Sequence, residues 1–124
     1  MAQLLFKEEY YQVVGICMEI HRILGVGLSE IVYKDAMEYE FKTRNIPFER
    51  EKAFVVEYKD IVLPHKFFAD FVVFDKIILE VKACEAIADP HITQTLNYIA
   101  IAKSRLGIIV NFGSESLEHK RVIL

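Results

Sequence analysis

Two carboxylates and an ammonium occupy adjacent apolar segments of this chain: Asp70 in Phe67-Phe68-Ala69-Asp70-Phe71-Val72-Val73-Phe74, and Glu80-Val81-Lys82 directly after Ile77-Ile78-Leu79. In an extended strand alternate side chains share a face, so Glu80 and Lys82 point the same way while Val81 points opposite. The run around Asp70 is so apolar that both of its faces are expected to be covered. A lone carboxylate there would be costly, so the two acids and the lysine require one another, a metal ion, or both. Acids of this kind hold hard cations such as Mg²⁺ or Mn²⁺. Such an ion lowers the pKa of a bound water and offsets the charge of a phosphodiester under attack, and the lysine stabilises the added negative charge. The plain alternative is a salt-bridged cluster in which Glu80 neutralises Lys82.

Two helical faces add candidates. Glu30, Tyr33, Met37 and Phe41 fall on one narrow arc at spacings of three and four, which predicts an inward stripe and places Glu30 on its buried side. Further on, Ile92, Leu96 and Ile99 form an apolar stripe, and His91, Gln94 and Tyr98 gather on a separate face. Gln94 and Tyr98, one turn apart, could hold a phosphate or fix a ligand carboxylate. Taken alone, they are equally an ordinary half-exposed polar face. His21, His65, His91 and His119 show no paired zinc-type spacing, and neither a glycine-rich phosphate loop nor a Gly-x-Ser-x-Gly turn is present. Cys84 has no neighbouring base and is a poor nucleophile candidate.

The elements that must position these residues are legible in outline. Phe6, Tyr10, Val13, Val14, Cys17 and Leu24 recur at helical spacing and predict a helix over about residues 6–24, stopped at Gly25. Ser29 can cap a second helix reaching about Thr43. Strands are expected over Phe48–Tyr58, Val62–Phe74 and Ile77–Ala83, joined by the turns Lys59-Asp60 and Asp75-Lys76 as an antiparallel meander. Asp89 at the cap and Pro90 at the first helical position open a third helix to about Lys103. Leu106–Asn111 reads as a buried strand and His119–Ile123 as a final edge strand. The expected fold is therefore an α/β sandwich with a mixed sheet in one domain spanning residues 1–124.

Composition narrows the classes. A chain of 124 residues forms one domain. Hydrophobic residues make up 53%, and mean hydropathy is +0.24, above the usual range, which points to surface covered by a second copy in a homodimer. The formal charge of −3 argues against wide non-specific wrapping of nucleic acid, but is compatible with a small site where metal ions offset the acids. Arg50, Lys52, Lys59, Lys66 and Lys76 give the meander positive charge that reads first as a solvated strand face. No apolar run is long enough to span a bilayer, and the opening Met1-Ala2-Gln3-Leu4-Leu5-Phe6 is too short and uncharged for a signal peptide. Cys17 and Cys84, each within an apolar element, fit reduced thiols in the cytoplasm.

Asp70…Glu80-Val81-Lys82 on a meander, followed by a helix with Gln94-x-x-x-Tyr98, resembles the PD-(D/E)XK nuclease superfamily, in particular its RecB-like branch. Gly27-Leu28-Ser29-Glu30-Ile31-Val32-Tyr33 resembles the Gly-x-x-Glu-x-x-Tyr signature of the GxxExxY protein family. The likeness covers nearly the whole chain, with Ala69 where the superfamily name has proline. It implies a restriction-endonuclease-like core in the order α-α-β-β-β-α-β and Mg²⁺- or Mn²⁺-dependent hydrolysis of phosphodiester bonds, of DNA in the first instance. It casts Asp70 and Glu80 as metal ligands with Glu30 nearby, Lys82 as the catalytic lysine, and Gln94 and Tyr98 as supporting residues. The alternative is a catalytically inactive module of the same fold that binds nucleic acid or protein.

Overall fold

The structure is a computed structural model describing residues 5–124. Of the opening stretch read for a signal peptide, the first four residues lie outside the described ones. Helix α1 (Lys7–Leu24) buries Tyr10, Val13, Val14, Ile16, Cys17 and Ile20. The stripe leaves the core after Ile20, so Leu24, expected inside, is exposed. Gly25 ends the helix at φ 72, a left-handed backbone angle that a side chain would disfavour, and its N–H donates to the His21 carbonyl at 2.8 Å. Helix α2 (Glu30–Thr43) follows Ser29, whose hydroxyl makes no capping bond, contrary to expectation. Tyr33, Met37 and Phe41 are fully buried, as the periodicity predicts.

Strands β1 (Phe48–Phe54), β2 (Glu57–Tyr58), β3 (Ile61–Val62), β4 (Phe67–Val73) and β5 (Ile77–Lys82) follow, then helix α3 (Asp89–Ala102) and strands β6 (Leu106–Asn111) and β7 (Glu118–Ile123). The main sheet has the order β1-β4-β5-β6-β7. Its β1-β4-β5 portion is the antiparallel meander, β5 and β6 run parallel, and β7 returns antiparallel at the edge. A parallel pair needs a crossover, and α3 supplies it. One face of the sheet packs Phe71, Val73, Leu79, Val81, Ile108 and Val110 against α1 and α2. The other packs Val72, Ile78 and Ile109 against Ile99 of α3. Gly107 permits that second contact: a β-carbon there would lie 2.7 Å from Thr95 and 2.8 Å from Ile99.

Three boundaries differ from the sequence reading. The expected Phe48–Tyr58 and Val62–Phe74 strands are both shortened in the main sheet, because residues 57–62 peel away as the separate β2–β3 hairpin with all four strand residues exposed and β4 starts only at Phe67. The turn between β4 and β5 is centred on Phe74 and Asp75, both left-handed at φ 56 and 58, rather than on Asp75-Lys76. Helix α3 starts one residue earlier than expected: Ala88 is its N-cap and Asp89 its first residue, while the His91 ring nitrogen accepts the Ala88 N–H at 3.1 Å.

Candidate active site

The site lies where β4 and β5 part. Their ladder runs Val73↔Ile77, Val72↔Ile78, Phe71↔Leu79 and stops, although the next opposed residues would be Asp70 and Glu80. Two like charges facing each other destabilise a ladder, and the amides released by its opening still need acceptors. The carboxylates supply them crosswise. Glu80 Oε2 accepts the Asp70 N–H at 2.9 Å, and Asp70 Oδ2 accepts the Val81 N–H at 2.8 Å.

A third acid stands level with them. On β1, Arg50↔Phe71 and Lys52↔Ala69 are paired, leaving Glu51 between, opposite Asp70 and left-handed at φ 54. The strand turns over at this point. Phe48 packs on Phe41 of α2, whereas Phe54, which regular alternation would put on the same face, stacks on Phe67 and so towards α3. Lys34 of α2 bridges the two acids, bonding to Glu51 and to Asp70 Oδ1 at 3.0 Å. Burial disfavours its charge, but those bonds prevail and hold the ammonium pKa above its ordinary value.

Glu80 is 4% exposed. Burial pushes its pKa up to about 8, the Asp70 charge adds to this, and the Asp70 N–H, Lys82 and Lys34 only partly oppose it. A carboxyl of this kind charges readily only when a cation arrives. Lys82, two residues on and half-buried, forms no ion pair among the described residues, which removes the simple Glu80–Lys82 salt bridge. Its backbone is fixed from the residue after β6: the Phe112 N–H donates to the Lys82 carbonyl at 2.9 Å. Asn111, fully buried, accepts the Cys84 N–H at 2.9 Å and donates to the Cys84 carbonyl at 2.9 Å and to Glu118 at 2.9 Å.

The helix candidates divide. Tyr98 stacks flat on Phe67 with ring centroids 4.1 Å apart. Its pKa is raised by burial and then by the charges of Glu80 and Asp70. Gln94 is exposed. Glu30 is exposed too, which corrects its expected place on the buried side of the helix. It opens the first turn of α2, one turn before the buried Tyr33. Tyr33 in the same motif is structural: its hydroxyl donates to the Gly25 carbonyl and its ring stacks on Phe112 at 4.4 Å.

Among the described residues no three His, Cys, Asp or Glu side chains stand close enough together to enclose a metal ion. Asp70 and Glu80 are the carboxylates brought together where the ladder ends, and they are the residues that would hold a divalent cation. One or two carboxylates, with water and substrate phosphate completing the shell, suit Mg²⁺ by type. The residues fit such an ion by type: both side chains offer carboxylate oxygens, and each accepts a backbone N–H of the other's strand, which holds the two side by side. Sequence reasoning missed Lys34, Glu51 and Asn111. Lys34 carried a usable signal, because it follows Glu30 by one turn and adjoins the buried Tyr33.

The model of the PD-(D/E)XK nuclease superfamily matches residues 7–122. The chain belongs to that superfamily, whose members generally use divalent metals and act on nucleic acid. The structure described as "Crystal structure of SSO0001" is similar with a TM-score of 0.59 and 19% identity, over 76% of this chain and 50% of that one, which bears on the fold alone. The chain thus spans half the length of that solved relative. A search among curated proteins gives no match. Among the described residues no helix is long and apolar enough to cross a membrane.

Proposed function

We propose that the chain is a divalent-metal-dependent nuclease acting on DNA, of the GxxExxY type within the RecB-like branch. The observation that carries this reading is the opening of β4 from β5 at two opposed acids, with Lys82, which has no ion-pair partner among the described residues, two positions beyond Glu80 on β5. Asp70 and Glu80 would hold Mg²⁺ or Mn²⁺, and Glu30 would reach the ion's water shell from the rim. The ion, when bound, supplies a more acidic water and screens the phosphate. Lys82 orients the attacking water and stabilises the charge that develops on the phosphate. Tyr98 donates its phenol towards the acids or a phosphate oxygen, with Gln94 one turn away.

Lys34 on Asp70 is the observation that favours the second reading, a module of the same fold that binds without cutting. Homodimerisation remains part of the proposal, supported by Ile23, Ile31 and Tyr39 exposed at 70%, 60% and 68% on α1 and α2. Plasmid and single-stranded DNA incubated with Mg²⁺ or Mn²⁺ test the enzymatic reading. Cutting by the wild type that is lost in Asp70→Ala and in Lys82→Ala supports it; cutting unchanged in either variant overturns it. Sedimentation analysis decides the dimer.

A further inference from the structure

Lys52, Lys76, Lys103 and Arg105 line a cavity of about 290 Å³ together with the acid Asp75. With Glu49 and Glu9 paired to two of these lysines, the surroundings keep a small positive excess in a chain whose net charge is −3. Lys52 and Lys76 are engaged by Glu49 at 2.5 Å and Glu9 at 2.7 Å. Lys103 and Arg105 are exposed and have no carboxylate partner among the described residues. Clustered cations in a concave site focus a positive field.

The cavity shares a face of the sheet with the candidate active site. Ile78 lines it, and Glu80 is the next residue of β5 on that face, about 7 Å along the strand. Phe54, in the cavity wall, begins a stack of half-buried rings. It lies on Phe67 at 5.0 Å and 12°, and Phe67 lies on Tyr98 at 4.1 Å and 14°. A neighbouring cavity of about 350 Å³ shares Phe54 and Lys103 and extends the groove along Val55–Glu57.

Resting on the nuclease reading, we propose that this cavity is a backbone-phosphate subsite for a single nucleic-acid strand whose scissile bond lies at Asp70 and Glu80. Lys103 and Arg105 contact the phosphates, and the edge of the Phe54–Phe67–Tyr98 stack guides the bases. Positively charged grooves that carry aromatic side chains hold single strands with little sequence preference. Lys76 lies four residues before Glu80 on the chain, about 13 Å away along an extended strand.

The test is fluorescence anisotropy of a labelled short oligothymidylate with the full chain in EDTA, as a function of salt. Lys103→Glu/Arg105→Glu should weaken binding roughly tenfold or more and reduce the salt slope by about 1.4, the value for two lost phosphate contacts. Lys103→Gln/Arg105→Gln should show a smaller loss, and the exposed pair Arg22→Glu/Lys42→Glu on α1 and α2 should leave affinity nearly unchanged. Unchanged binding in the first variant, or an equal loss in the α1 and α2 variant, overturns the subsite. So does inorganic phosphate alone competing as effectively as unlabelled strand, which marks an isolated anion site. Cleavage with Mn²⁺ is read separately. Strand binding through these cations without any cutting defeats the nuclease reading and leaves the subsite, while Asp70-dependent cutting with normal binding by the first variant defeats the subsite alone.

Discussion

Asp70 and Glu80 each hold the backbone of the other's strand: Glu80 Oε2 accepts the Asp70 N–H at 2.9 Å and Asp70 Oδ2 accepts the Val81 N–H at 2.8 Å. The acids therefore have a structural task besides any chemistry, which is to end a ladder without orphaning its amides. Asp70→Ala leaves the Val81 N–H without its acceptor and is expected to cost about 1–3 kcal/mol. Asp70→Asn keeps a carbonyl acceptor and relieves repulsion of Glu80, so it should cost less. Denaturant unfolding in EDTA measures both; an asparagine variant less stable than the alanine one would contradict this view of the acid pair.

The raised Glu80 pKa sets a pH dependence of stability. Folded protein retains this proton up to about pH 8, whereas a free carboxyl releases it near 4.5. Between those limits the folded state binds more protons than the unfolded one, so stability falls as pH rises through the window. The full effect is a few kcal/mol. Thermal melts in EDTA from pH 5 to about 9 should show the decline, and Glu80→Gln should flatten it. An unchanged slope in that variant would place the decline elsewhere.

Lys34 is the internal counter-ion of Glu51 and Asp70, with a side chain only 11% exposed. Lys34→Met keeps the length of the stem and removes the charge, leaving two acids facing each other across β1 and β4. Apo stability should drop by about 1–3 kcal/mol, and Mn²⁺ should restore more of the melting temperature than it adds to the wild type. Equal metal-induced shifts in the two proteins would show that Lys34 does not compete for the same negative charge.

Asn111 makes its bonds at zero exposure, accepting from the Cys84 and Gly113 amides at 2.9 and 3.0 Å. Asn111→Ala removes the acceptor of both amides and should destabilise the fold by about 2–4 kcal/mol. Hydrogen exchange should rise first over residues 83–88, the segment that leaves the site after Lys82. Faster exchange confined to other regions would mean that this clamp does not hold the segment.

Local pattern made the helices, the meander and the buried β6 readable, because burial there repeats at fixed intervals. Asp70, Glu80 and Lys82 could be picked out for the same reason: charge interrupting an apolar strand is visible one residue at a time. Glu30 was misplaced because an arc on a helix tells which way a side chain points, not whether another element covers it. Ser29 and Asp89 matched capping preferences, yet neither takes the role expected of it. Lys34 and Glu51 were invisible as a pair, since their meeting depends on how α2 lies over the sheet and on a left-handed residue that turns β1 over. Asn111 likewise acquires meaning only once β6 is set parallel to β5, opposite Lys82.

The central claim is that Asp70 and Glu80 form one divalent-cation site, and Mn²⁺ titration followed by electron paramagnetic resonance reads it without requiring turnover. The account predicts saturable Mn²⁺ binding by the wild type, displaced by Mg²⁺, and its loss in both Asp70→Ala and Glu80→Gln while each variant still melts cooperatively. Wild-type protein that leaves Mn²⁺ free in solution, or binding that survives both substitutions, would contradict it.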